Sequence, residues 1–291
     1  MTSGVLSKID LLVRQWHLRS LWLVTALGFA FIYMPIFILV FFSFNSSRFA
    51  TTWKSFTFDW YLGLAQGGID PRANLPNVIV WDALRNSLVV AVVTTIVATL
   101  LGTALAIALE RFHWPGRSLI EALVFLPIII PEITMAISLL VFFSIGFQLI
   151  ENLTGIKLVL GVPTVIIGHI TFSISFVVVT VRARLAELDP ALEEAALDLG
   201  ANEWQTLRKV TLPLIAPSIV SAALLAFTLS LDDFVITFFT NGVGGTTLPI
   251  FVHGMIKYSV TPAINAISTL MLLASLLLVV ASSTMQTKQN Q

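Results

Sequence analysis

The stretch Asp189–Pro213, DPALEEAALDLGANEWQTLRKVTLP, is a polar island between two long apolar runs, and the organisation of the chain follows from it. Asp189 suits a helix cap and Pro190 the first helical position, while Glu193 and Glu194 stand near the positive end of the helix dipole. Gly200 ends that helix. Asn202 starts a second short one, with Gln205 reaching back as in a capping box, Arg208 and Lys209 in the last turn, and Pro213 expected to close it. Ala195 and Ala196 remove bulk from the first helix, so that another protein or helix can approach its surface closely.

Composition places this island in a membrane protein. Of 291 residues, 57% are hydrophobic and 11% charged, against roughly 25% charged in a soluble domain. Mean hydropathy is positive. Lys plus Arg equals Asp plus Glu at 16 each, so the balance points to no nucleic-acid partner, and the placement of charge along the chain carries the information. With no cysteine, disulfides, thiolate metal sites and cysteine catalysis are excluded; neither a metal site nor a catalytic residue is expected.

Taken in order, residues 1–20 carry Lys8, Arg14 and Arg19 without a cleavage pattern and read as a cytoplasmic tail. Leu21–Phe44 is the first run able to cross about 30 Å of hydrocarbon, and Pro35 inside it is tolerable in a membrane helix. Asn45–Arg85 reads as an external loop whose aromatics (Phe49, Trp53, Phe56, Phe58, Trp60, Tyr61) either anchor at headgroup depth or meet a partner protein. Leu88–Leu109 is the second span and ends in a charged turn, Glu110–Arg117. Leu119–Phe147 is too long for one straight span, and Pro127 and Pro131, followed by Glu132, predict a broken third span whose freed backbone groups need protein or water.

Gln148–Leu160 is an external loop, and Val162–Val181 is the fourth span, with His169 read as a packed, hydrogen-bonded interhelical residue rather than a ligand. After Arg182, Arg184 and the polar island come Leu214–Phe239 as the fifth span, Asn241–Pro262 as a loop and Ile264–Ser282 as the sixth, before a tail at 284–291. The fold class is therefore all-α, an integral membrane protein with one six-span domain over residues 21–283 and a cytoplasmic loop at 182–213. Alternating the loops across the membrane puts ten of the 16 Lys and Arg inside when both termini are cytoplasmic, and leaves the polar island inside too.

The order Glu194-Ala195-Ala196, three residues, Gly200, nine residues, then Val210-Thr211-Leu212-Pro213 resembles the EAA loop of ABC importer permeases in residue types and spacing. The resemblance implies the type I permease fold. It also implies a coupling helix around Glu194, Ala195, Ala196 and Gly200 that sits in a groove of a cytoplasmic ATPase, with Leu212 and Pro213 fixing the way into the fifth span. No GxxxxGK[ST] phosphate loop occurs in the chain, so ATP is expected on partner subunits and no cofactor on this one.

Acids inside the spans demand explanation, because an ionised carboxylate in hydrocarbon is costly unless paired, solvated or protonated. Asp232, Asp233 and Glu132 are those residues. Asp232 lies about 27 Å along a straight helix from Leu214, toward the external end. Adjacent side chains point about 100° apart, so Asp232 and Asp233 cannot share one narrow pathway without unwinding. One is expected to line the path and attract a cation, the other to be held by hydrogen bonds at a helix irregularity. Pairing of both with Lys or Arg of a partner subunit is the alternative.

Further segments are similar to those of the spermidine/putrescine importer permeases: Asn45-Ser46-Ser47-Arg48-Phe49, Trp60-Tyr61, Met135–Leu140, His169-Ile170-Thr171-Phe172, Phe227–Asp233, Thr247-Leu248-Pro249 and Pro262–Ala266. The likeness is to the second, shorter permease subunit and runs from about Leu21 to Ser282, although Gly63–Asp82 is longer than is usual in that family. It implies a bacterial inner-membrane subunit paired with a sister permease, two ATPases beneath and an extracytoplasmic binding protein delivering a polyamine, whose positive charges suit acids along the path. Another cation or cationic amine, such as thiamine or ferric iron, fits the same acids. A secondary transporter using Asp232 or Asp233 for a proton or sodium ion fits them too, but leaves the spacing from Glu194 to Pro213 unexplained; a structural protein without substrate has little reason to hold them.

Overall fold

Proline and capping chemistry set where the helices of this chain start and stop. A computed structural model describes residues 3–47, 52–66, 77–257 and 261–287. Arg48, Phe49, Gly67, Gly68, Pro71, Arg72 and Pro76, all in the first expected loop, lie outside the described residues, as does the chain from residue 288 on. The elements are α1 (Ser3–Phe42), α2 (Asp59–Ala65), α3 (Asn77–Arg111), α4 (Arg117–Ile129), α5 (Glu132–Thr154), α6 (Val162–Glu187), α7 (Ala191–Asp198), α8 (Glu203–Thr206), a π-turn (Leu207–Thr211), α9 (Leu212–Asp232), α10 (Val235–Thr240), α11 (Leu248–Ile256) and α12 (Pro262–Thr287). Among the described residues, six stretches are long and apolar enough to cross a membrane: Ser20–Phe42, Ile79–Arg111, Glu132–Thr154, Val162–Glu187, Glu203–Asp232 and Pro262–Val280.

The expected boundaries need correction in several places. Residues 3–20 continue into α1 as helix, and α3 begins at Asn77, inside the expected first external loop. The Asn241–Pro262 segment holds a further helix, α11. Its first amide, Leu248 N–H, donates to Ser87 Oγ of α3 at 2.8 Å, while Asn86 Nδ2 donates to the carbonyls of Gly244 and Thr246 at 2.9 and 3.0 Å. Pro213 does not close the helix before it. The π-turn puts Leu212 N–H on the Leu207 carbonyl, and this wider register accommodates the N–H that Pro213 lacks, so helix runs without a gap from Glu203 to Asp232.

Two breaks interrupt the spans. Ile130 is extended, at φ −74° and ψ 141°, because the ring of Pro131 disfavours helical backbone in the residue before it; α5 then restarts at Glu132. Pro127 is accommodated within α4. The second break falls inside the expected fifth span, where Asp233 is extended at φ −63° and ψ 128° between α9 and α10.

The chain divides into two compact units, residues 1–74 with 259–270, and residues 75–258 with 271–291. In the first, Asn45 is fully buried and ties the turn after α1. Its Oδ1 accepts the N–H groups of Ser47 and Lys54, its Nδ2 donates to the Thr52 carbonyl, and its own carbonyl accepts Trp60 Nε1 at 2.8 Å. Aromatic rings cluster beside it, the ring centroids of Phe44, Phe56, Phe58 and Tyr61 lying between 5.0 and 6.4 Å apart along the contacting pairs.

The core of the second unit is the mutual packing of α3, α6 and α9, around Ala98, Ala106, Leu109, Val177, Val181 and Ile215. Lipid tails are as apolar as leucine, so close van der Waals approach holds such helices together, and small residues permit it. At Gly102 an added β-carbon would lie 2.7 Å from Val177 Cβ, and at Gly168 one would lie 2.8 Å from Ile236 Cγ2.

Candidate functional site

The two adjacent acids at the end of α9 take different partners. Asp232, the last residue of α9, is exposed, and its carboxylate oxygens lie 3.0 and 2.9 Å from the Ser275 hydroxyl of α12. Among the described residues no Lys, Arg or His pairs with it. Asp233 is buried, and its Oδ1 accepts from the Thr237 N–H at 2.9 Å and from Thr237 Oγ1 at 3.0 Å, while Ile236 N–H points to Oδ2 at 3.4 Å. These are the bonds of a helix cap. An aspartate that takes the free amides of the following turn holds its own backbone out of helix, and the chain breaks here without a proline.

His169 of α6 completes the Asp233 site. The ring is 2% exposed and sets Nδ1 2.7 Å from Ser230 Oγ and Nε2 2.9 Å from Thr237 Oγ1 and 3.1 Å from Asp233 Oδ1. A carboxylate only accepts, so the network assigns a proton to Nε2, with Ser230 donating to Nδ1 in the neutral tautomer. Glu132, in the first turn of α5, lies beside the Asp233 carboxyl. Glu132 and Asp233 are thus brought together with His169, Ser230 and Thr237 where α5, α6, α9 and α10 meet. Asp233 finds its cationic or neutral partner in its own chain, and Asp232 is left outside the cluster. Sequence reasoning does not reach Ser230, Thr237 or Ser275.

At the other end of α9, the polar island folds as its capping residues dictate. Asp189 Oδ1 accepts the Ala191 N–H at 3.0 Å. Gly200 lies at φ +86°, a left-handed conformation that residues with a β-carbon seldom adopt, and it ends α7. Both arms of the capping box form, Gln205 N–H to Asn202 Oδ1 at 2.9 Å and Asn202 N–H to Gln205 Oε1 at 3.0 Å. Glu194, Ala195 and Gly200 are exposed, Ala196 is half-buried, and Leu212 and Pro213 form the first turn of α9.

Leu199 projects at the tip, 89% exposed, and Leu197 and Trp204 line one cleft with Arg111, Phe112 and Glu193. Glu193 turns inward, its Oε1 accepting from Arg111 Nη2 at 3.1 Å and from Thr211 Oγ1 at 2.8 Å. Beside it Arg182 of α6 binds Glu110 Oε2 at 2.8 Å and Glu121 of α4. None of these ion pairs is visible in the sequence, because their members are far apart along it.

The protein-family model of the binding-protein-dependent transport system inner membrane component matches residues 98–291. The chain is 40% identical over 254 residues to the spermidine/putrescine transport system permease protein PotC of Escherichia coli K12, covering 87% of this chain and 89% of that one. It is 38% identical over 257 residues to the putrescine transport system permease protein PotI of the same organism, covering 87% and 86%. Among solved structures it matches, with a TM-score of 0.73 and 18% identity, a chain of a bacterial ABC transporter involved in the import of the acidic polysaccharide alginate, over 98% of this chain and 99% of that one. At that identity the likeness is one of fold alone.

Proposed function

The chain belongs to the inner membrane components of binding-protein-dependent transport systems, the permeases of ABC importers, and we propose that it carries polyamines. In this reading it lines the translocation path together with a sister permease, two ATPase subunits bind ATP beneath it, and an extracytoplasmic binding protein delivers spermidine or putrescine. Residues 21–283 form the transmembrane domain, both termini and the 182–213 loop are cytoplasmic, and α7 is the coupling helix.

One observation carries the choice of a cationic cargo. Among the described residues Asp232 keeps an exposed carboxylate at the end of a membrane helix with only a serine hydroxyl against it, while its neighbour Asp233 is compensated inside the chain. An uncompensated acid at membrane depth is costly unless something cationic or aqueous meets it. The same fold occurs in an importer of an acidic polysaccharide, so the sign of the cargo has to come from side chains such as this one. Asp232 lines the path and draws the ammonium groups; Asp233 and Glu132 hold the helix break that presents it. Closure of the ATPases displaces α7, the spans rock, the cavity opens outward to receive the polyamine, and reopening releases it inward.

The test is uptake of labelled spermidine and putrescine by polyamine-transport-deficient cells expressing the complete transporter, with membrane levels and ATPase association measured alongside. Wild type is expected to import, and Asp232→Asn to assemble yet lose about tenfold or more of the uptake, about 1.4 kcal/mol of lost cation stabilisation. Asp233→Asn is expected to lower assembly instead. A wild-type complex that assembles and hydrolyses ATP but imports neither amine would remove polyamines and move the search to thiamine and ferric iron.

A further inference from the structure

Glu193 stands one residue before the Glu194-Ala195-Ala196 triplet and makes bonds that the triplet does not. Its Oε1 joins α7 to Arg111, the last residue of α3, and to Thr211, the last residue of the π-turn that leads into α9. Thr211 is 3% exposed, and the side chains of Arg111 and Glu193 are 24% and 23% exposed, whereas Glu194 and Glu203 are open to solvent. The preceding residue of α3 bonds the opposite way: Glu110 holds Arg182 of α6, which also holds Glu121 of α4. So α3 ends in a two-residue junction whose first member fixes α6 and α4, and whose second fixes α7.

No residue of α7 is buried, and its main neighbours are the short α8 and the π-turn. A helix without a buried apolar face has no knobs with which to push on a core. Its chain connections are poor struts as well, since one side runs through the left-handed Gly200 and the other through the extended Leu188. What remains is a charge-assisted hydrogen bond with a second, neutral one on the same oxygen, a link that resists both pull and push.

We propose that Glu193 is the positioning residue through which displacement of α7 reaches α3 and α9, by way of Arg111 and Thr211. This rests on the coupling role of α7 set out above. It places the transmitting residue beside the recognised triplet rather than within it: Glu194 and Ala195 are exposed toward a partner, and Glu193 faces the spans, with Ala196 half-buried on the same side of the helix.

The chain has no cysteine, so a single introduced one is the only thiol this subunit contributes, and its labelling is read on the isolated band of this chain. Thr228→Cys puts it four residues before Asp232, on the same face of α9. In vesicles holding the complete transporter, the rate at which this cysteine is alkylated is measured with and without ATP and vanadate. The Thr228→Cys background is expected to change rate with nucleotide. In that background Glu193→Gln and Arg111→Gln are each expected to shrink the change about tenfold, Thr211→Val to shrink it less, and the swap Arg111→Glu with Glu193→Arg to restore most of it.

Membrane level and co-purification of the ATPase are followed in every variant. Single variants that respond like the background, while Gly200→Asp does not, overturn the Glu193 link and leave the docking role standing. A Gly200→Asp variant that responds like the background removes the docking role and the link with it. A swap that assembles but stays silent overturns the ion pair as the transmitter, and a full response from Thr211→Val overturns the arm to α9.

Discussion

His169 Nε2 supplies one of the hydrogen bonds of a buried carboxylate. Removing the donor to a buried polar group costs about 1–3 kcal/mol, and more where the group left short is charged. His169→Ala is therefore expected to lower the thermal unfolding midpoint of the detergent-solubilised chain sharply, and His169→Gln, which keeps a donor, to lower it less. Unfolding midpoints that do not separate the two would place the stability of this region elsewhere. At this scale the sequence told part of the story. That Asp232 and Asp233 must differ follows from the 100° step between neighbours on a helix. Which of them is the inner one depends on His169, which α6 supplies from far along the sequence, and on bonds to Thr237 that only a broken helix offers.

Among the elements, what could be foreseen depended on whether the cause was local. The break before Glu132 is written in Pro131, whose ring acts on the residue next to it. The break at Asp233 has no proline or glycine to announce it, and α11 starts where Asn86 and Ser87 of α3 supply its bonds from some 160 positions away. Pro213 was misleading for the opposite reason, since a locally strong stop signal was absorbed by the π-turn before it. The contact of α3 with α6 gives a measurable consequence. Gly102→Ala would force a β-carbon to within 2.7 Å of Val177 Cβ, and overpacking of this kind costs about 1–3 kcal/mol. Gly102→Ala is therefore expected to lower the unfolding midpoint of the solubilised chain, and a midpoint equal to that of the wild type would count against the contact.

For the whole molecule, hydropathy was enough to count the candidate spans, because crossing a bilayer constrains length and polarity more than it constrains packing. The helix-turn-helix of the polar island could be read as well, since its caps are local, and it yields a test of assembly. Leu199 is 89% exposed at the end of α7, so Leu199→Arg leaves the packing of this chain alone; if the tip enters an ATPase groove, co-purification of that subunit is expected to fall about tenfold or more. Undiminished recovery would move the docking surface elsewhere. The unbroken helix from Glu203 to Asp232 adds a mechanical consequence. Its 30 residues span about 45 Å, of which the part from Leu212 onward takes up about 31 Å, the thickness of the hydrocarbon layer. Tilting about Leu212, it would have arms of about 14 and 31 Å, so that a tilt of about 5° would move Glu203 by about 1 Å and Asp232 by nearly 3 Å, about the diameter of a water molecule.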